Sequence, residues 1–249
     1  MAKKPLVIAH RGGSKRAPEN TISSMQNGIK LQADAVEFDL HITKDLIPIL
    51  IHDETILRTT NSTANTPVSD LPLSILKTLD AGSWFHTRFK NEPIPTFEEA
   101  LQIIQKQAMI FIEIKEPDTR YTKIITDLIE QYSQVDNVKI LSFHKEVIDE
   151  VKRLNPNLHT VMLYSEFNQD INTVLQDPNI DSFGLGQQLA IFHSSFTKAL
   201  LAANKDVYVY AVNNSLAIKR LLQIGVTGII TDVPDKTRKI IDKRYSKTR

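Results

Sequence analysis

The chain has 249 residues, 41% of them hydrophobic, with 30 basic residues against 29 acidic ones. That is enough apolar material for a large core, and a net charge of +1 gives no global field to recruit nucleic acid or an anionic membrane. The absence of cysteine excludes disulfides and thiolate metal sites and fits a reducing compartment.

The segment Met1-Ala-Lys-Lys-Pro5 has the charge of a leader but no apolar stretch long enough to follow it. No run approaches the ~18 apolar residues of a membrane span. The expectation is a soluble, cytoplasmic protein with no stable membrane anchor. The first strand, Leu6 to Ala9, ends abruptly on His10-Arg11-Gly12-Gly13, an imidazole beside a guanidinium at a buried strand end. That pairing suits acid–base chemistry next to an anion such as a phosphate. Pro18-Glu-Asn-Thr21 opens a helix, with Glu19 and Asn20 expected to cap and brace it.

A second strand runs from Ala35 to His41, and Ile47 to His52 is extended close behind it. From Asp53 to Pro95 the rhythm breaks. This stretch holds a polar Thr/Asn/Ser run, a short amphipathic piece from Leu71 to Leu79 and the pair Trp84-Phe85. So long a loop in a compact fold is expected to be an insertion over the site, with Trp84 and Phe85 either walling the substrate pocket or anchoring the insertion.

Regular alternation then returns. Thr96 caps a helix predicted to run through Gln107, and strands centred on Ile110, Ile140, Val161, Phe183, Val209 and Ile229 alternate with helices to the end. With Leu6 and Val36 these make eight strand centres, most followed by a helix. Eight βα units in about 250 residues predict a closed (β/α)8 TIM barrel, one domain over residues 1–249 with an insertion at about 53–95 after the second strand. An open doubly wound sheet is the weaker alternative, because no Gly-x-Gly-x-x-Gly turn occurs. The basic tail from Lys236 to Arg249 reads as a solvated last helix, since a base-stacking surface asks for a series of interleaved aromatics.

In such a barrel the chemistry sits at the carboxyl ends of the strands. Glu37 and Asp39, two apart on the second strand, share its inward face, and Glu113 and Lys115 stand in the same relation on the third. Ionised carboxylates in a barrel interior are costly unless paired or bound to metal. The three carboxylates make an all-oxygen set that favours Mg²⁺ or Ca²⁺ over zinc. The plainer alternative is a buried ion network with Arg11 and Lys115. His52 follows the extended segment. The other histidines, and Asn213 after the seventh strand, carry less weight; Asn213 is expected at most to touch substrate.

Taken together, His10-Arg11-Gly12, Pro18-Glu-Asn-Thr21, Glu37-Phe-Asp39, His52-Asp53, Ile112-Glu-Ile-Lys115 and Thr231-Asp-Val-Pro234 resemble, in order, the glycerophosphodiester phosphodiesterase family. The resemblance covers essentially the whole chain. It implies metal-dependent hydrolysis of small-molecule glycerophosphodiesters to sn-glycerol 3-phosphate and an alcohol. By position it implies His10 and His52 as the acid–base pair and Glu37, Asp39 and Glu113 as ligands of one divalent cation. Charge neutralisation on the phosphate falls to Arg11 and Lys115. Sequence leaves either histidine able to be the base; the assignment adopted is His10 as base and His52 as acid. One departure is Tyr210, at or near a position where the family usually has tryptophan. Monomer and homodimer are both left open.

Overall fold

The computed structural model describes residues 4–105, 107–132, 135–166 and 170–246. The first three residues of the basic N-terminal segment and the last three of the basic tail fall outside them, as does residue 106 near the predicted end of the helix after Thr96.

Nine strands form one sheet: β1 (Leu6–Ala9), β2 (Ala35–Ile42), β3 (Pro48–Leu50), β4 (Met109–Ile114), β5 (Val138–Ser142), β6 (His159–Tyr164), β7 (Ser182–Gly186), β8 (Asp206–Tyr210) and β9 (Gly228–Thr231). Eight of them pair in parallel, and β1 pairs with both β9 and β2, which closes the barrel. The exception is β3, which returns antiparallel along β2, with Leu40 opposite Leu50. This is the extended stretch behind the second strand, and the turn back carries His52 to the barrel mouth.

The helices are α1 (Ile22–Lys30), α2 (Leu73–Leu76), α3 (Phe97–Ile104), α4 (Thr119–Gln131), α5 (Lys145–Leu154), α6 (Ile171–Gln176), α7 (Gln187–Phe192), α8 (Ser194–Ala202), α9 (Ser215–Ile224) and α10 (Pro234–Tyr245). Helix α3 stops at Ile104, short of the predicted Gln107, where Gln105 takes a positive φ of 43°. Its start is as predicted: the Thr96 side chain accepts from Glu99 N while Glu99 accepts from Thr96 N. Helix α1 is capped by Thr21 rather than by Glu19 or Asn20, with the Thr21 hydroxyl accepting from Ser24 N at 3.2 Å. The Glu19 and Asn20 side chains are thereby left to bond Arg11 and Asp39.

Strand alternation sorts the core into an interior and an outer shell. Inside the barrel Ile8, Ala35, Phe111, Leu141, Val161, Leu163, Tyr208 and Ile230 pack as one cluster. Strand β7 contributes Gly184, where a Cβ would stand 2.3 Å from Leu163. The outer faces bury larger clusters against the helices, one with Val7, Phe183 and Val209, another with Phe38, Phe97 and Ile112. Each interior position fixes the residue two places further along its strand. At the carboxyl ends these are His10, Glu37, Glu113, Phe143, Ser165, Gly186, Tyr210 and Asp232. One half of the mouth is therefore ionisable, and the other is aromatic or small.

Candidate active site

The register of β2 on β4 pairs Asp39 directly with Glu113. Glu37 lies two residues before Asp39 on the same face, and ligand oxygens of all three lie within 4.8 Å of one another. Glu37 is 2% exposed and Asp39 1%, so the charges cannot be relieved by water. Burial and the neighbouring Asp39 and Glu113 charges push Glu37 up to about 7. Burial and Asp39 likewise raise Glu113. Burial would raise Asp39 too, but the charges of Lys115 and Arg11, with help from His52 and Asn20, hold it well below the usual carboxylate range.

Two cations and an amide frame this cradle. Lys115 Nζ stands 2.7 Å from Glu113 and 3.0 Å from Asp39. Arg11 Nε lies 3.3 Å from Asp39, and Asn20 Nδ2 donates to the same carboxylate at 2.8 Å. With all three carboxylates ionised against two cations the cluster carries one negative charge in excess, and burial together with mutual repulsion raises two of its members. An all-oxygen donor set in that condition fits a hard divalent cation.

Arg11 reaches the cradle because its backbone is left-handed, at φ 50° and ψ 34°. For a bulky residue that conformation is unfavourable and persists only when its surroundings fix it. Here Arg11 N donates to Glu37 at 2.8 Å, while its carbonyl accepts from Ser24 Oγ at 2.9 Å and from Asn20 N at 3.1 Å. Gly12, at φ +85°, lies so close to α1 that a Cβ would come within 2.4 Å of Ser24 Oγ.

His10 Nδ1 bonds Asp232 at 2.6 Å, leaving Nε2 for chemistry. Asp232 is itself fixed by Ser14 Oγ at 2.8 Å and Asn213 Nδ2 at 2.5 Å. Burial works against protonating His10, but the Asp232 bond and the Glu37 charge outweigh it and raise its pKa. His52 Nδ1 bonds Asp53 at 2.8 Å. Its pKa is lowered by burial and by the Lys115 and Arg11 charges, against the pull of Asp39. Each imidazole thus feels one carboxylate of the cradle, His10 that of Glu37 and His52 that of Asp39.

All seven residues singled out from sequence converge at this mouth: His10, Arg11, Glu37, Asp39, His52, Glu113 and Lys115. Several supporting residues were not foreseen. Asp232 lies in a motif that carries the resemblance, but its bond to His10 spans 222 positions. Asn213, expected at most to touch substrate, is committed to Asp232: its Oδ1 accepts from Asp232 N at 2.9 Å and from Thr231 Oγ1 at 3.0 Å. His41 is buried and braces the second histidine, one ring nitrogen 2.7 Å from Glu116 and the other 3.1 Å from the His52 carbonyl. Trp84, Phe85 and Phe89 stack edge-on within the insertion, and the Trp84 indole donates to Ala81 O at 2.8 Å. The insertion is tied to the barrel by Glu92, which accepts from Ser23 N at 3.0 Å and Ser23 Oγ at 2.7 Å.

A parallel barrel whose mouth gathers three carboxylates able to hold a hard cation, two braced histidines and two cationic side chains has the make-up of a hydrolase site for phosphate esters. The glycerophosphoryl diester phosphodiesterase family profile matches residues 10–236, and the chain belongs to that family of hydrolases. A glycerophosphodiester phosphodiesterase of Bacillus subtilis is 36% identical over 94% of this chain and 86% of its own length. One from Caldanaerobacter subterraneus is 34% identical over 96% of this chain and 99% of its own. Among solved structures, an Oleispira antarctica phosphodiesterase in complex with the product sn-glycerol-3-phosphate superposes with a TM-score of 0.89. It shares 27% identity, over 96% of this chain and 97% of that one.

Proposed function

We propose that the protein hydrolyses glycerophosphodiesters to sn-glycerol 3-phosphate and an alcohol, with residues 1–249 acting as one catalytic domain. The observation that carries this reading is the placement of two histidines, each with its own aspartate, within electrostatic range of one buried carboxylate triad. Glu37, Asp39 and Glu113 would hold Mg²⁺ or Ca²⁺, which supplies charge neutralisation on a non-bridging phosphate oxygen. Arg11 and Lys115 supply the rest, already directed at the same point by their bonds to Glu19, Asp39 and Glu113.

The two imidazoles divide the proton transfers. His10, raised by Asp232, is the ring that enters protonated, and His52, lowered by burial and by its cationic neighbours, is the ring that enters neutral and can accept. Before a cation binds, this polarity favours the reverse of the roles adopted from sequence, with His52 taking the proton of the nucleophile and His10 giving one to the leaving alkoxide. The nucleophile is either water or the 2-hydroxyl of the glycerol moiety. Attack by that hydroxyl yields a cyclic phosphate, which water opens with the histidines reversed. Beside Lys115 a cleft of about 480 Å³ extends under the insertion, large enough for the alcohol moiety of a small diester. Such deacylated lipid substrates fit a cytoplasmic enzyme.

The test is release of glycerol 3-phosphate from glycerophosphocholine and glycerophosphoethanolamine, beside His10→Ala and Glu37→Ala. Release by the wild type and its loss in both variants supports the reading. Release that persists in both variants, or none from any glycerophosphodiester by folded protein supplied with Mg²⁺ or Ca²⁺, overturns it.

A further inference from the structure

An aspartate next in sequence to its histidine is poorly held by the backbone alone, and Asp53 is 29% exposed. What fixes it is Arg58, five residues into the insertion. Arg58 Nε donates to Asp53 Oδ2 at 2.6 Å and Nη2 to Oδ1 at 2.8 Å. The adjoining edge of the same guanidinium, sharing Nη2, grips Glu19, with Nη1 at 2.9 Å from Oε2 and Nη2 at 2.7 Å from Oε1. Glu19 Oε1 in turn accepts from Arg11 Nη1 at 2.7 Å. A single planar group therefore makes two bidentate contacts. The chain of bonds runs from His52 through Asp53, Arg58 and Glu19 to Arg11.

The magnitudes show what such a link is for. The Arg58 side chain is 44% exposed, and ion pairs at that exposure contribute little to stability. Geometry is another matter: a guanidinium forked to two carboxylates fixes both their distance and their planes, which a flexible ammonium cannot do. We propose that Arg58 is a positioning residue that sets His52 and Arg11 in mutual register, so that the insertion supplies part of the catalytic alignment. This rests on the phosphodiesterase reading for its kinetic consequences and on the bond network alone for its structural ones.

The two branches separate experimentally. Arg58→Ala should lower kcat about 10-fold or more, as loss of an orienting partner does, and also raise KM several-fold. Asp53→Asn should reproduce the kcat effect with KM near wild type. Glu19→Gln should reproduce the KM effect, because Arg11 is the phosphate contact. Arg58→Lys should recover only part of either, and millimolar guanidinium should partly restore Arg58→Ala but not Asp53→Asn. Independently of turnover, ¹⁵N shifts of the His52 ring should report one dominant tautomer, protonated on Nδ1, in the wild type and a mixture in Arg58→Ala. If the wild type fails to hydrolyse glycerophosphodiesters, the functional reading falls, while the tautomer measurement still decides the role of Arg58. Unchanged tautomer populations in Arg58→Ala would overturn the proposal. So would kcat and KM within twofold of wild type, or losses that match a reduced folded fraction by circular dichroism.

Discussion

Asp232→Asn removes one charge and leaves the shape of the site nearly intact, which makes it the sharpest probe of the first histidine. Asp232 Oδ1 receives His10 and Ser14, and Oδ2 receives Asn213. An asparagine that keeps its oxygen toward His10 turns its NH₂ against the Asn213 NH₂. Asn213 cannot rotate to relieve this, because its oxygen is held by Thr231 and the Asp232 amide. The flipped asparagine instead points a donor at His10 and selects the wrong tautomer. Either way a charge-assisted bond worth about 1.5–3 kcal/mol is lost from the protonated state of His10. At 1.36 kcal/mol per tenfold, kcat should fall by roughly 10- to 100-fold. The sign of the pH effect also follows. Asp232 raises the His10 pKa, so its loss lowers it. If His10 donates the proton, the alkaline limb of the kcat/KM profile moves to lower pH. If His10 were the base, the acid limb would move instead. Steady-state assays from pH 5 to 9, with folding checked by circular dichroism, read both quantities. A kcat within twofold of wild type and an unmoved profile would refute the role given to this pair.

Glu37, at about 7 in the fold, and the raised Glu113 hold their protons more tightly folded than unfolded. Their stabilising share is full below about pH 4.3, the unfolded value, and drains away as pH rises toward 7. A fixed concentration of Mg²⁺ or Ca²⁺, a hundredfold over its Kd at pH 8, should therefore raise Tm by about 5–10 °C at pH 8 and by less at pH 5, where protons compete for the cradle, which thermal melts with and without chelator would show. Gly12→Ala should be poorly folded or inactive, since the left-handed turn and the 2.4 Å approach to Ser24 leave no room; a wild-type melting curve would contradict this. The Tyr210 hydroxyl is buried without a partner among the described residues. Tyr210→Phe should accordingly leave Tm unchanged or raise it by a few degrees, and a raised KM in the same variant would place that hydroxyl against substrate.

Much of this site was legible because strand alternation is a short-range rule. Glu37, Asp39 and Glu113 betray themselves as carboxylates on inward positions of apolar strands, and the barrel follows from counting such strands. The parts that escaped depend on contacts remote in sequence or on irregular backbone. Nothing local in Asp232 reveals that it meets His10 across the closing seam of β9 and β1, and nothing in Arg58 reveals that it reaches back to Glu19. Glu19 and Asn20 look like helix caps by composition, yet the cap falls on Thr21, while Glu19 bonds Arg11 and Arg58 and Asn20 bonds Asp39. Helix α7, six residues long and directly followed by α8, shows no separate periodicity to announce it. The opposite pKa directions of His10 and His52 were equally hidden, since they depend on which charges surround each imidazole in three dimensions.

The central claim is that a single divalent cation in the Glu37–Asp39–Glu113 cradle supports hydrolysis of a glycerophosphodiester. The most direct measurement titrates Mg²⁺ or Ca²⁺ into chelator-stripped protein while recording sn-glycerol 3-phosphate release from glycerophosphocholine. Turnover should be absent at the start, rise until one cation is bound per chain and then saturate, and show no rise in Glu37→Ala. Full turnover in excess chelator, or a cation that binds at one per chain and restores nothing, would contradict it.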